Sequence, residues 1–308
     1  MARVTLIADT HISPVWGAAS INLWLAADMV RAGRADQIVH LGDVVFSDYS
    51  KTELAFAQAL FASLNLPLLA IPGNHDVGEP PVVAASDYVQ PGHVSTLATV
   101  DRSRAFYDVF GPLPQTLLLD DGDTALVLID SQQLGTGSEL EAATLEMIAG
   151  LRDLQASTLV IATHKTLGLV MPELDQPGWT IPAAPSEQIL RHLARRRTDQ
   201  RVLVVSGHFH RWRQYRVEGI HFVWVPTLAF ITPHRLLDAR GGEPAVGYVD
   251  IDTSAGQVPQ VHWRTSPAMP IIDISGWVDA GGPQQKAEVL RAAEAQLAFA
   301  AAYQSNER

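Results

Sequence analysis

Val4-Thr5-Leu6-Ile7-Ala8-Asp9-Thr10-His11 is an apolar run that ends in two metal-type side chains. The run is too short and poorly flanked for a signal peptide and far too short for a membrane span. It reads as a strand covered on both faces, and the pattern recurs downstream. Residues 37–41, 67–71, 124–129, 158–163 and 201–206 are further β-rich runs. Helical stretches lie between them. One follows Ser20. Ser50-Lys51-Thr52-Glu53 and Ser138-Glu139-Leu140-Glu141 have the Ser-x-x-Glu form of a capping box, ahead of helices reaching about Leu64 and Leu151. Residues 186–196 form a third helical stretch. From Gln214 the texture changes to consecutive strands at 215–217, 220–225, 246–251 and 260–264, with turns such as Glu218-Gly219. Strand–helix alternation followed by a strand run predicts an α/β sandwich with mixed sheets.

Metal-type residues gather at the downstream ends of these strands. Asp9-Thr10-His11 follows the first, Gly42-Asp43 the second, and Pro72-Gly73-Asn74-His75-Asp76 the third. His164 follows residues 158–163, and Gly207-His208-Phe209-His210 follows 201–206. The carboxyl ends of strands are where sites form in open α/β sheets. Core packing does not generate such a repeated pattern. In an extended segment residues i and i+2 point the same way, so Asp9 and His11 are expected to face one ion together, as are His208 and His210. Gly42, Gly73 and Gly207 each precede a candidate ligand and allow sharp turns and close backbone approach.

Composition narrows the chemistry. The chain has no cysteine, so disulfides and thiolate metal sites are excluded. Any metal is held by His, Asp, Glu or Asn, ligands that suit Mn, Fe, Zn or Mg. Seven candidate ligands are too many for one tetrahedral zinc. They suit two ions sharing a carboxylate, with Asp43 as the natural bridge. Two metals roughly 3.5–4 Å apart activate a water and stabilise the leaving oxygen in displacement at phosphorus. The net charge of -11 repels nucleic-acid backbones and anionic membranes at long range. Duplex nucleic acid and membranes are therefore disfavoured as partners, and a cytoplasmic location is the default expectation.

In that order, Asp9-x-His11, Gly42-Asp43, Gly73-Asn74-His75-Asp76, His164 and Gly207-His208-x-His210 resemble the five-part signature of calcineurin-like metallophosphoesterases, over about residues 4–212. The resemblance implies a four-layer αββα sandwich of two mixed sheets between helices. It implies that Asp9, His11, Asp43 and His210 hold a first metal, and that Asp43, Asn74, His164 and His208 hold a second. Mn, Fe and Zn are the leading identities. His75 would contact the phosphate and assist departure of the leaving group while a hydroxide bridging the ions attacks phosphorus. Asp76 would orient His75 through a hydrogen bond that fixes its tautomer. The substrate would be a small phosphomonoester or phosphodiester. Gly73 to Gly78, Phe110-Gly111 and Asp130-Ser131-Gln132 resemble the phosphatases of this superfamily. The chain's size and C-terminal extension resemble class III cyclic-nucleotide phosphodiesterases. A non-catalytic metal-binding scaffold and a nuclease are the alternative readings.

Many relatives carry a second His or a Pro after the fourth-motif histidine. Here Lys165-Thr166 follows His164 and offers a cation to a substrate phosphate. Arg211 and Gln132, with Gln133, are further candidates for substrate contact. His40 reads as a core histidine, and His93, His192, His221, His234 and His262 as structural. Arg195-Arg196-Arg197 reads as a helix-end charge run, favoured by the helix dipole. Residues 78–100 read as a long loop, of a length often tied to function. Selectivity is expected from that loop, from residues 167–185 and from 227–235. The main domain is expected over 1–265. Residues 266–308 would form an extension with a helix over about 284–303. That helix packs on its own domain in the first reading, with a homodimer contact or a cover over the site as alternatives.

Overall fold

β1 (Ala2–Ile7) sends its side chains to two layers. Val4 and Leu6 enter one apolar cluster and Ile7 another, because neighbouring residues of a strand face opposite ways. The structure, a computed structural model, describes residues 1–14, 17–46, 51–81, 97–167, 178–231, 241–254 and 256–274.

After β1 come α1 (Ile21–Gly33), β2 (Gln37–His40), α2 (Lys51–Ser63), β3 (Leu68–Ala70), the single turn α3 (Asn74–Val77) and α4 (Val100–Phe110). Then follow β4 (Gln115–Leu119), β5 (Thr124–Leu128), α5 (Glu139–Gly150), β6 (Thr158–Thr163), β7 (Thr166–Leu167), β8 (Thr180–Ile181) and α6 (Ala183–Ala194). The described chain continues through β9 (Arg201–Ser206), β10 (Arg211–Val217), β11 (Ile220–Trp224), β12 (Glu243–Pro244), β13 (Tyr248–Thr253) and β14 (Gln260–Arg264).

One sheet has the order β14-β13-β1-β2-β3 and the other β12-β10-β11-β9-β6-β5-β4. Both are mixed. Parallel pairing runs through β1-β2-β3 and through β11-β9-β6-β5, with antiparallel strands outside. Val4, Leu6, Val39 and Ile251 of the first sheet meet Leu126, Val160, Leu203 and Val223 of the second in a shared core. On the first sheet's outer face, Ile7 and Ile38 pack with Leu23 of α1, Phe61 of α2 and Phe106 of α4. On the second sheet's outer face, Val127, Ile161 and Val204 pack with Ile148 of α5 and Ile189 of α6. The result is four layers, αββα, as the resemblance implied.

Register then positions the site. Ile7 pairs with His40 and His40 with Ala70. In the other sheet Thr163 pairs with Ser206 and Ser206 with Trp224. The parallel strands therefore finish level, and the residues after each strand emerge along one edge of each sheet.

Some local expectations need correction. Ser138 does cap α5, accepting from Glu141 N at 3.3 Å. The Glu141 carboxylate, however, accepts from Gly135 N and Gly137 N, 2.9 and 2.6 Å away, so it serves the preceding turn. α6 starts at Ala183, and Ser186 lies inside it with its hydroxyl donating to Ile181 O at 3.0 Å. α4 and β4 had no counterpart in the sequence reading. Thr99 caps α4, and Phe106 and Phe110 lie on its buried side. Just after β14, Met269, Ile272 and Ile274 are buried, and Ile231 exchanges backbone hydrogen bonds with Ile272 and Ile274. The helix expected over 284–303 lies outside the described residues, as do His93, His234 and most of the expected 78–100 loop. Among the described residues no helix is long and apolar enough to cross a membrane.

Candidate metal centre

Five of the seven candidate ligands hold left-handed backbone: Asp9 (φ 51°), His11 (φ 42°), Asp43 (φ 53°), His208 (φ 71°) and His210 (φ 54°). This conformation costs a non-glycine residue on the order of 1 kcal/mol. The segments past the strands are thus tight turns, not the extended chain that the i, i+2 argument assumed. The turns bring Asp9 and His11 together with His210. They also separate His208 from His210, which joins a different group, so that part of the expectation is corrected. Close packing of the turns requires glycine at Gly73, where a Cβ would run into Asp43, and at two further points. A Cβ on Gly42 would stand 2.6 Å from His164 Nδ1, and one on Gly207 would stand 2.8 Å from Asp9 Oδ2.

Asp9, His11 and His210 present one donor atom each within 4.8 Å of one another, and so do Asp43, His164 and His208. Asp43 stands between the groups. Its Oδ2 is 3.8 Å from His11 Nε2, and its Oδ1 is 3.5 Å from His164 Nε2. Asn74 Oδ1 lies 3.1 Å from His164 Nε2. Asp9 faces His210 Nε2 at 3.6 Å and accepts the His208 backbone N–H with both oxygens. Asp9, His11, Asp43, His164 and His210 are buried, while Asn74, His75 and His208 are half-buried and form the open side.

Backbone carbonyls fix the tautomers. His164 Nδ1 donates to Leu41 O at 2.8 Å, His208 Nε2 donates to Gly178 O at 2.9 Å, and His210 Nδ1 donates to Phe230 O. In the neutral rings the opposite nitrogens then carry lone pairs. His164 Nε2 and His208 Nδ1 are 3.1 Å apart, and His11 Nε2 and His210 Nε2 are 3.2 Å apart. A proton or a metal ion between such nitrogens is what lets them stand so close, and the buried His11 Nδ1 has no partner among the described residues. The field of the site points the same way. Burial alone would push His164 down, but Asp43 and Asp9 outweigh it and hold His164 up at about 9. For Asp43, burial is likewise overcome by His164, His75 and His11, so its carboxyl stays well below the usual range. A donor set of neutral imidazoles, carboxylates and one amide oxygen fits transition metals.

His75 sits on the rim, its ring centroid 4.7 Å from that of His11, within reach of His11 and Asp43. Its Nδ1 meets Phe46 O at 2.9 Å, and its backbone N–H donates to Asp43 Oδ1 at 2.9 Å. The expected hydrogen bond from Asp76 to His75 is therefore corrected: Phe46 O orients that ring. The Asp76 carboxylate accepts the backbone N–H groups of Gly73, Val44 and Val45 at 2.8–3.1 Å, binding the turn after β3 to the loop after β2. Burial, reinforced by Asp43, pushes Asp76 up to about 7 against these three donors.

The substrate candidates fare differently. Lys165 is fully buried and ion-paired with Glu79, so its ammonium is committed to the protein. Arg211 is buried, and its guanidinium donates to Gly242 O at 2.9 Å, holding β10 beside the residues before β12. Gln132 is buried, and its side-chain amide has no partner among the described residues. Gln133 donates to Ser103 Oγ at 2.9 Å and ties the loop after β5 to α4. His40 is buried, accepting from Gly42 N at 3.2 Å and facing Thr10 Oγ1 at 2.8 Å, as a core histidine should. His221 is buried and meets Gln214 Oε1 at 3.2 Å. Sequence reasoning missed Leu41, Phe46, Gly178 and Phe230, which act through carbonyls that every residue type carries. Phe230 also stacks on His11 at 4.7 Å, and Trp179 lies 5.4 Å from His208.

A four-layer αββα sandwich with paired His/Asp clusters at the edges of both sheets defines a dinuclear type of hydrolase scaffold. Residues 2–212 match the family model for calcineurin-like phosphoesterases, and the chain belongs to that family. Among solved structures it resembles a dimetal phosphatase from Danio rerio at 14% identity and TM-score 0.54, covering 84% of this chain and 98% of that one. It also resembles a purple acid phosphatase from yellow lupin (Lupinus luteus) seeds at 14% identity and TM-score 0.56, covering 88% and 52%. A third is GAP50, the anchor in the inner membrane complex of Plasmodium, at 10% identity and TM-score 0.54, covering 88% and 86%. At these identities the likeness concerns the fold. No curated protein matches the chain at a significant level.

Proposed function

We propose that this chain hydrolyses a small phosphomonoester or phosphodiester at a centre of two metal ions. The carrying observation is Asp43, whose two oxygens each face a different histidine-bearing group, 3.8 and 3.5 Å away. Asp9, His11, Asp43 and His210 would hold one ion, and Asp43, Asn74, His164 and His208 the other. The tautomers fixed by carbonyls on His164, His208 and His210 support that use. Mn, Fe and Zn suit these ligands best. Bound there, the ions would supply Lewis acidity to the phosphoryl group and to an attacking water.

The remaining work falls to this chain's residues. With Nδ1 held by Phe46 O, His75 keeps Nε2 for substrate. As an imidazolium it donates Nε2–H to the leaving oxygen, and hydrogen-bonds the phosphate before that. Asp76 sets the spacing between the Asp43 loop and the Asn74-His75 turn. The half-buried side at Asn74, His75 and His208 is the approach for the ester.

The test is turnover of p-nitrophenyl phosphate and bis-p-nitrophenyl phosphate with Mn²⁺. Activity on either, lost in His75→Ala with metal content intact, supports the proposal. Metal-loaded protein inert to both esters sinks it.

A further inference from the structure

The buried ion pair between Lys165 and Glu79 takes no part in the chemistry above. The Lys165 side chain is 0% exposed and that of Glu79 13%. The partners come from different sheets. Lys165 directly follows His164 at the end of β6, and Glu79 follows α3, the turn that begins with Asn74. His164 Nε2 and Asn74 Oδ1 are 3.1 Å apart. The same two segments are thus linked twice, once by the facing donor atoms and once by the ion pair behind them.

Each segment is firmly held on its own side. Lys165 N donates to Ser131 Oγ at 3.2 Å, and Lys165 O accepts from Thr163 Oγ1 at 3.0 Å. Glu79 O accepts from Ala98 N at 2.7 Å, and Glu79 bridges to Leu97. The join between the segments is where adjustment remains, and the ion pair spans it. A buried ammonium without its counter-charge is strongly disfavoured, so the pairing enforces a geometry.

We infer that Lys165 and Glu79 are positioning residues for the second metal: the pair clamps Asn74 to His164 at ligand spacing, and Glu79 cancels a cation that would oppose the ion. The inference rests on the dinuclear reading. It also reverses the expected role of Lys165, from a substrate contact to a brace.

Calorimetric titration of metal-free protein with Mn²⁺, with thermal unfolding as a check of fold, tests it. The unaltered chain should show two sites. Glu79→Gln should weaken the second by about 10- to 100-fold and leave the first unchanged, as for other groups that orient metal ligands. Glu79→Asp, which keeps the charge on a shorter arm, should recover part of the loss. If Glu79→Gln does not fold, the Lys165→Met/Glu79→Met double variant decides, because it leaves no unpaired buried charge. It should fold and weaken the second site selectively, by less than Glu79→Gln does, because the clamp is lost but no cation is left to oppose the ion. A folded variant with both affinities unaltered, or with both weakened equally, overturns the inference. An unaltered chain that binds fewer than two ions overturns the dinuclear reading instead.

Discussion

The two ligand groups share Asp43 but are braced by different means. Around Asp9, His11 and His210 most supports are rings, with the Phe230 carbonyl on His210 added: Phe230 stacks on His11 at 4.7 Å and lies 5.0 Å from His210, with Phe46 and His75 beside them. Around Asn74, His164 and His208 the supports are mainly polar, with the Trp179 ring beside His208: carbonyls of Leu41 and Gly178, and the Lys165–Glu79 pair. Ring packing is non-directional and tolerates small shifts, whereas ion pairs and hydrogen bonds hold only near one geometry. The first group should therefore fail through loss of volume, and the second through loss of a single partner.

Breaking what both share should have the largest effect. Asp43→Ala should lower turnover of p-nitrophenyl phosphate by on the order of 10³-fold or more, with elemental analysis showing both ions weakened. Loss of one ion alone would show that Asp43 is no bridge. His75→Ala should cost about 10²- to 10⁴-fold in kcat with both ions retained, since it removes a proton donor and no ligand. Metal loss in that variant would make His75 a ligand. Phe230→Ala sharpens the contrast directly. It should destabilise the fold by about 3 kcal/mol in thermal unfolding and weaken the first metal while sparing the second. Equal weakening of both would erase the distinction.

The smallest effect concerns His40, which braces both groups from beneath through Thr10 and Gly42. Burial pushes it down to about 3 in the folded chain. Its folded pKa lies below its unfolded value of about 6.5, so its contribution is present above pH 6.5 and is lost as pH falls toward 3. With a chelator present, His40→Asn should therefore lose less stability between pH 7 and 5 than the unaltered chain. Parallel curves over that range would remove His40 from the account.

Much of this was legible in the sequence. Apolar runs ending in Asp9, Asp43, Asn74, His164 and His208 marked strands, and strand ends marked the site, because a sheet edge is fixed by short-range pattern. α4 escaped because its burial depends on Phe106 and Phe110 meeting α2 and the first sheet, a tertiary matter. The partners of His75, His210 and His208 escaped because carbonyls leave no signature in residue type. Asp76 was expected to orient His75 and instead holds backbone. Its side chain reaches backbone N–H groups 31 and 32 residues earlier, which no local spacing encodes. Lys165 looked like an exposed cation because Glu79, its partner, stands 86 residues away.

The level finish of the parallel strands has an evolutionary corollary. Donor atoms are indexed to Ile7, His40 and Ala70 in one sheet and to Thr163 and Ser206 in the other, by pairing alone. Extra residues inserted at the far rim would lengthen the path between motifs without displacing a single donor. Connecting chain can thus change widely in length and sequence while the architecture that presents those donors stays the same.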